Sequence, residues 1–141
     1  MITNRRILCG VYATIAAAAF IATWSQNVAY LHRPAGFLNS FLQDLEVNTA
    51  SRSITVDILL FFLAAAIYMV LEARKHGVPY VWAYIVGGML IAISVTFPLF
   101  LIARERKLAN TNMASPRVVD VIVLTVFAAL VAAGVIFTDR A

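Results

Sequence analysis

Four apolar stretches, Ile7–Trp24, Ile54–Leu71, Val78–Ala103 and Val118–Thr138, fill most of the 141 residues, and short polar segments separate them. A helix rises about 1.5 Å per residue and the hydrocarbon core of a bilayer is about 30 Å thick, so roughly 20 apolar residues suffice to cross it. The pattern predicts transmembrane helices over 7–29, 54–73, 79–103 and 117–138. Between the first two, Phe37, Leu38, Phe41, Leu42 and Leu45 recur at helical spacing, while Asn39, Ser40, Gln43, Asp44 and Glu46 take the other face. That periodicity predicts an amphipathic helix over 37–47, lying on the membrane surface or capping the bundle. The expected fold class is all-α: one membrane domain over 1–141, an integral four-helix bundle with a short interfacial helix in its first loop.

Punctuation along the chain refines this picture. Ser51 and Ser53 are N-cap residue types ahead of the second span, and Gly77 suits its C-terminus. Arg74, Lys75 and His76 complement the helix dipole there. So short a connection makes the second and third spans antiparallel neighbours. Pro79 stands where a missing N–H costs little, Gly87-Gly88 marks a close-packing point, and Pro98 predicts a kink near the far end of the third span. Arg104 to Lys107 end that span, Ser115-Pro116 open the fourth, and Asp139-Arg140 close it. Trp24 and Tyr30 fall where an aromatic belt belongs. Gly10, Ala13 and Ala17 on the first helix, and Gly87 and Gly88 on the third, form candidate packing faces, because small residues let helix backbones approach closely in lipid.

Composition agrees and excludes several functions. Hydrophobic residues make up 62% of the chain and charged ones 13%, which suits a bilayer and no soluble domain of this size. The net charge of +4 sits in loops and suits anionic lipid headgroups, so membrane lipids and other membrane subunits are the expected partners, with no nucleic acid. A single cysteine, Cys9, forms no internal disulfide and excludes a paired-thiol oxidoreductase. No histidine lies within a span, which argues against haem ligation and a di-iron centre, so no cofactor or metal is expected. Arg5-Arg6 before an apolar run resembles a signal peptide, but no convincing cleavage site follows, and a retained first helix is expected. Strict alternation places Arg5, Arg6, Arg74, Lys75 and Arg140 on one side, and Arg33, Arg52, Arg104, Arg106, Lys107 and Arg117 on the other. Five against six is nearly balanced, so the first helix decides: both termini are expected in the cytoplasm, with loops one and three outside.

Only Asp57 and Asp120 carry charge within the four stretches away from their flanks. Alternation puts both on one side, each about a turn inside its helix, with Arg52, Arg104, Arg106 and Arg117 at the same surface. A candidate polar vestibule of Asp57, Asp120, Arg52, Arg104 and Arg117 would bind an ion, a headgroup or a basic partner residue. The plainer reading is favoured: aspartates stabilise the positive ends of their helices and pair with nearby arginines. Glu72 with Arg74, Lys75 and His76 is expected to be a solvated turn, and Phe61, Phe62, Tyr68, Tyr80, Trp82 and Tyr84 to face lipid or the belt.

The segment from Phe41 to Arg106 resembles a bacterial family of small membrane proteins whose function is unknown. The likeness is carried by Phe41-Leu42, Asp57, Glu72-Ala73-Arg74, Trp82-Ala83-Tyr84, Phe97-Pro98-Leu99-Phe100-Leu101 and Arg104-Glu105-Arg106. The resemblance implies a compact multi-helix fold in a bacterial inner membrane and supplies no activity and no site. The residues themselves favour a non-catalytic accessory or assembly subunit of a larger membrane complex, one involved in lipid transport. A lipid-binding or small-solute transport protein using the Asp57/Asp120 vestibule ranks second. An enzyme acting on a membrane-dissolved substrate ranks last, since no catalytic residues stand in a recognisable arrangement.

Overall fold

A computed structural model describes residues 2–28, 31, 36–108 and 117–139. Among them the regular structure is helical throughout: α1 (Ile2–Asn27), α2 (Phe37–Leu45), α3 (Thr49–His76), α4 (Val81–Gly87), a π turn (Gly88–Ala92), α5 (Ile93–Lys107) and α6 (Val118–Asp139). By length and composition alone, four helical stretches suffice to cross a membrane: Arg5–Asn27, Thr49–His76, Val81–Lys107 and Val118–Thr138. The protein is thus an all-α, multi-pass membrane protein. The chain separates into two compact units, residues 2–110 and residues 111–141. Tyr30, the His32–Ala35 breaker and the Ser115-Pro116 start signal lie outside the described residues.

Helix boundaries follow local chemistry. Asn48, in an extended conformation, caps α3 by accepting a hydrogen bond from the Ser51 N–H at 2.9 Å. The helix therefore begins at Thr49, ahead of the expected Ser51/Ser53 cap, because the Asn carbonyl reaches that N–H. Gly77 ends the helix with φ 65°, a left-handed conformation that a residue without Cβ adopts at little cost. Its neighbour Val78 donates to the Ala73 carbonyl at 3.0 Å. Tyr80, at φ 58°, completes the sharp reversal into α4. The amphipathic α2 spans Phe37–Leu45, within the expected 37–47.

The third apolar stretch departs from the expected single crossing over 79–103. In a continuous helix Tyr84 and Phe100 would stand about 24 Å apart along the axis, yet their ring centroids are 5.7 Å apart, edge to face. A Cβ built on Gly87 would lie 3.2 Å from Thr96, and one on Gly88 3.0 Å from both Thr96 and Phe62. The chain therefore doubles back at Ala92, whose backbone is extended, and α4 with the π turn runs antiparallel to α5. The reversal lies at Ala92, while Pro98, expected to kink the span, sits buried within α5. Gly87 and Gly88 permit the close approach of the two limbs, and the Thr96 hydroxyl reaches back to the Ala92 carbonyl at 3.5 Å. From Val81 to Ala92 the descending limb rises about 18 Å, roughly half the bilayer.

The core of the first unit lies between α3 and this hairpin. Met69 and Phe100 are fully buried, surrounded by Ala65, Ala73, Val78, Val81, Ile85 and Ile93. Tyr68 meets Phe97 edge to face at 6.1 Å. Helix α1 packs along α5, with Ala16 buried. The second unit is described by α6 alone, where Thr125 and Thr138 satisfy their hydroxyls on the carbonyls of Val121 and Gly134.

Candidate functional site

The doubling back brings together charges that lie 30 to 100 residues apart in sequence. Helices α3 and α5 run parallel, so Glu72, in the next-to-last turn of α3, meets Arg104 near the end of α5. Arg104 Nε donates to Glu72 Oε2, and its Nη1 donates to Glu105 Oε1 at 2.9 Å. Helix α1 runs antiparallel to α5 and delivers Arg5, whose Nη1 donates to the Glu105 backbone carbonyl at 3.1 Å. Arg5 Nε stands 3.5 Å from Glu105 Oε2. His76, one turn beyond Glu72, places Nε2 3.3 Å from Glu72 Oε2.

These side chains are largely withdrawn from solvent: Glu105 is 7% exposed, Arg5 13%, Glu72 14% and Arg104 23%. The turn expected to be solvated is so only at Arg74 and Lys75, which are exposed; Glu72 forms a part-buried ion pair, because Arg104 covers it. Two carboxylates face two guanidiniums, so the inner group is neutral when His76 is uncharged. Buried charges are tolerable only when paired and hydrogen-bonded, which explains why all four converge on one point. Glu105 Oε2 is buried and accepts no hydrogen bond among the described residues; the nearby Arg5 guanidinium compensates its charge through space. The arrangement clamps three helices at one end and fixes the returning limb of the hairpin.

The vestibule is redrawn accordingly. Arg104 leaves it: Glu72 and Asp57 lie fifteen residues apart on α3, about 22 Å along the helix, and Arg104 sits at the Glu72 end. Asp57 and Arg52 are exposed near the start of α3 and form no ion pair with each other. In the second unit, Asp120 Oδ2 accepts from the Arg117 N–H at 3.0 Å, the reach-back bond of a capping box, with Asp120 in the first turn of α6. That geometry gives Asp120 a helix-starting role through the Arg117 backbone N–H.

The packing faces divide as well. Gly88 is buried and Gly87 half-buried, both inside the hairpin. Gly10, Ala13 and Ala17 are exposed along α1, and a Cβ on Gly10 would meet nothing within 4 Å.

Sequence reasoning overlooked the clamp because contact between Glu72 and Arg104 requires the chain to reverse at Ala92. A signal existed: Glu72-Ala73-Arg74 and Arg104-Glu105-Arg106 are among the residues that carry the family resemblance. Comparisons with curated proteins and with solved structures give no match. The family model described as "Protein of unknown function DUF2834" matches residues 11–106, a span that holds Glu72, Arg104, Glu105 and the whole hairpin. The chain belongs to the DUF2834 family.

Proposed function

We propose that this protein is a non-catalytic accessory subunit that docks on the helices of a larger membrane complex, one that handles lipids, in the cytoplasmic membrane of a bacterium. The observation that carries the reading is the small-residue face of α1. Gly10, Ala13 and Ala17 are spaced to share one side of the helix and are exposed, while Ala16 supplies the inward contact. In lipid, helix association relies on close van der Waals approach, and an exposed small-residue face offers that approach to a partner helix. The clamp supports the same reading, since Arg5 ties α1 to α5 at Glu105 and leaves the small-residue face turned away from that contact.

Enlarging the face tests the proposal. Gly10→Leu and Ala17→Leu should detach a co-purifying membrane partner and lower the protein's abundance in its native membrane, while the purified variants keep their helicity and elution volume. A wild-type protein that is equally abundant with and without other membrane subunits, and that purifies alone with turnover or a stoichiometric small ligand, would overturn it.

A further inference from the structure

The hairpin changes the charge balance between the two ends of the first unit. Arg5, Arg6, Arg74, Lys75, Arg104, Arg106 and Lys107 all gather at the clamp end, because the limb that carries the last three returns there. At the opposite end the described residues offer Arg52 against Asp44, Glu46 and Asp57. Inside the clamp, Arg5 and Arg104 are matched by Glu105 and Glu72. The other five cations, Arg6, Arg74, Lys75, Arg106 and Lys107, are exposed, and none forms an ion pair among the described residues. Five like charges on the ends of three adjoining helices repel one another unless an anionic surface faces them.

We propose that these five side chains form a collar that binds anionic phospholipid headgroups of the cytoplasmic leaflet and thereby fixes the N-terminus of α1 on the cytoplasmic side. Three features select a lipid surface as the occupant. The cations lie where apolar helices end, at the depth of the headgroups. Tyr80 and Trp82, 82% and 59% exposed, stand at the same end, as aromatic residues do at a membrane interface. The strong asymmetry of basic residues between the two ends also matches cytoplasmic placement of the basic one. The proposal is independent of the α1 docking face.

Trp82 supplies the measurement. The chain holds two tryptophans, so Trp24→Phe leaves Trp82, beside the collar, as the sole tryptophan to excite at long wavelength. This full-length variant is placed in phosphatidylcholine vesicles, and quenching by brominated phosphatidylglycerol is compared with quenching by brominated phosphatidylcholine at equal mole fraction. The collar predicts a several-fold preference for the anionic lipid. Each basic side chain near such a surface strengthens association by on the order of fivefold at low ionic strength, and 0.5 M salt should reduce the preference. Arg74→Gln/Lys75→Gln/Arg106→Gln/Lys107→Gln should bring the ratio close to one, whereas Arg52→Gln should leave it unchanged. Equal quenching of the wild-type collar by both lipids, which requires no charge variant to fold, would overturn the proposal. A preference that survives neutralisation in a folded variant would overturn it too, as would displacement of the lipid by inorganic phosphate at matched ionic strength, which would mark a site for soluble anions.

Discussion

At the scale of residues, charge pairing decides which polar side chains a membrane protein can keep inside. Glu72 and Arg104 need each other, because either one alone would leave a charge largely shielded from water beside apolar helices. Arg104→Met should therefore destabilise the protein by about 3 kcal/mol in detergent unfolding, with Glu72→Met/Arg104→Met less destabilised than the single change, since the orphaned carboxylate is then gone. A double variant that loses as much as the sum of the two singles would show that the pair is not coupled. Asp120 has a smaller task. Its carboxylate accepts the Arg117 N–H at 3.0 Å, so Asp120→Ala should weaken the first turn of α6 by about 1 kcal/mol, seen as faster amide exchange near Val118. Much of this scale is legible in sequence. The glycine cap at Gly77 and the dipole role of Asp120 follow from residue type and position alone. The partner of Glu72 does not, since it lies 32 residues on and is reached only after a reversal that residue types do not announce.

Among the elements, the hairpin of α4, the π turn and α5 is the feature that positions the rest. An apolar run of 26 residues reports length and solvent but carries no direction, so Val78–Ala103 is equally consistent with crossing the bilayer and with turning inside it. The turn is visible in sequence only as Gly87-Gly88, which predicts close packing without naming the packed surface. The structure names it: Gly88 lies against Phe62, Thr96 and Ile93. Gly88→Leu should then separate the limbs and lower thermal stability markedly, while Gly10→Ala, with open space around it, should be nearly neutral. Equal losses at the two glycines would refute the assignment of inner and outer faces. Phe100, packed against Tyr84, is the largest fully buried side chain among the described residues, and Phe100→Ala should cost about 3 kcal/mol through the void it leaves.

At the scale of the whole molecule, doubling back alters which end of the first unit the basic residues after α5's midpoint meet. Strict alternation of four crossings puts Arg104 to Lys107 with Arg52; the clamp puts them with Arg5 and Arg6. The nearly balanced basic count then becomes strongly lopsided among the described residues of the first unit. Hydrophobic patterning found the four apolar runs and the amphipathic α2, but a one-dimensional pattern counts crossings only if each apolar run is straight. Single cysteines in a Cys9→Ala background test this most directly, placed at Arg6, Asn48 and Lys107 and exposed to an impermeant thiol reagent in intact cells. The hairpin predicts that the cysteines at 6 and 107 are both protected until the membrane is opened, while the one at 48 labels at once. Labelling at 107 together with 48, and protection at 6, would mean that the third apolar stretch crosses the bilayer and that the clamp does not form.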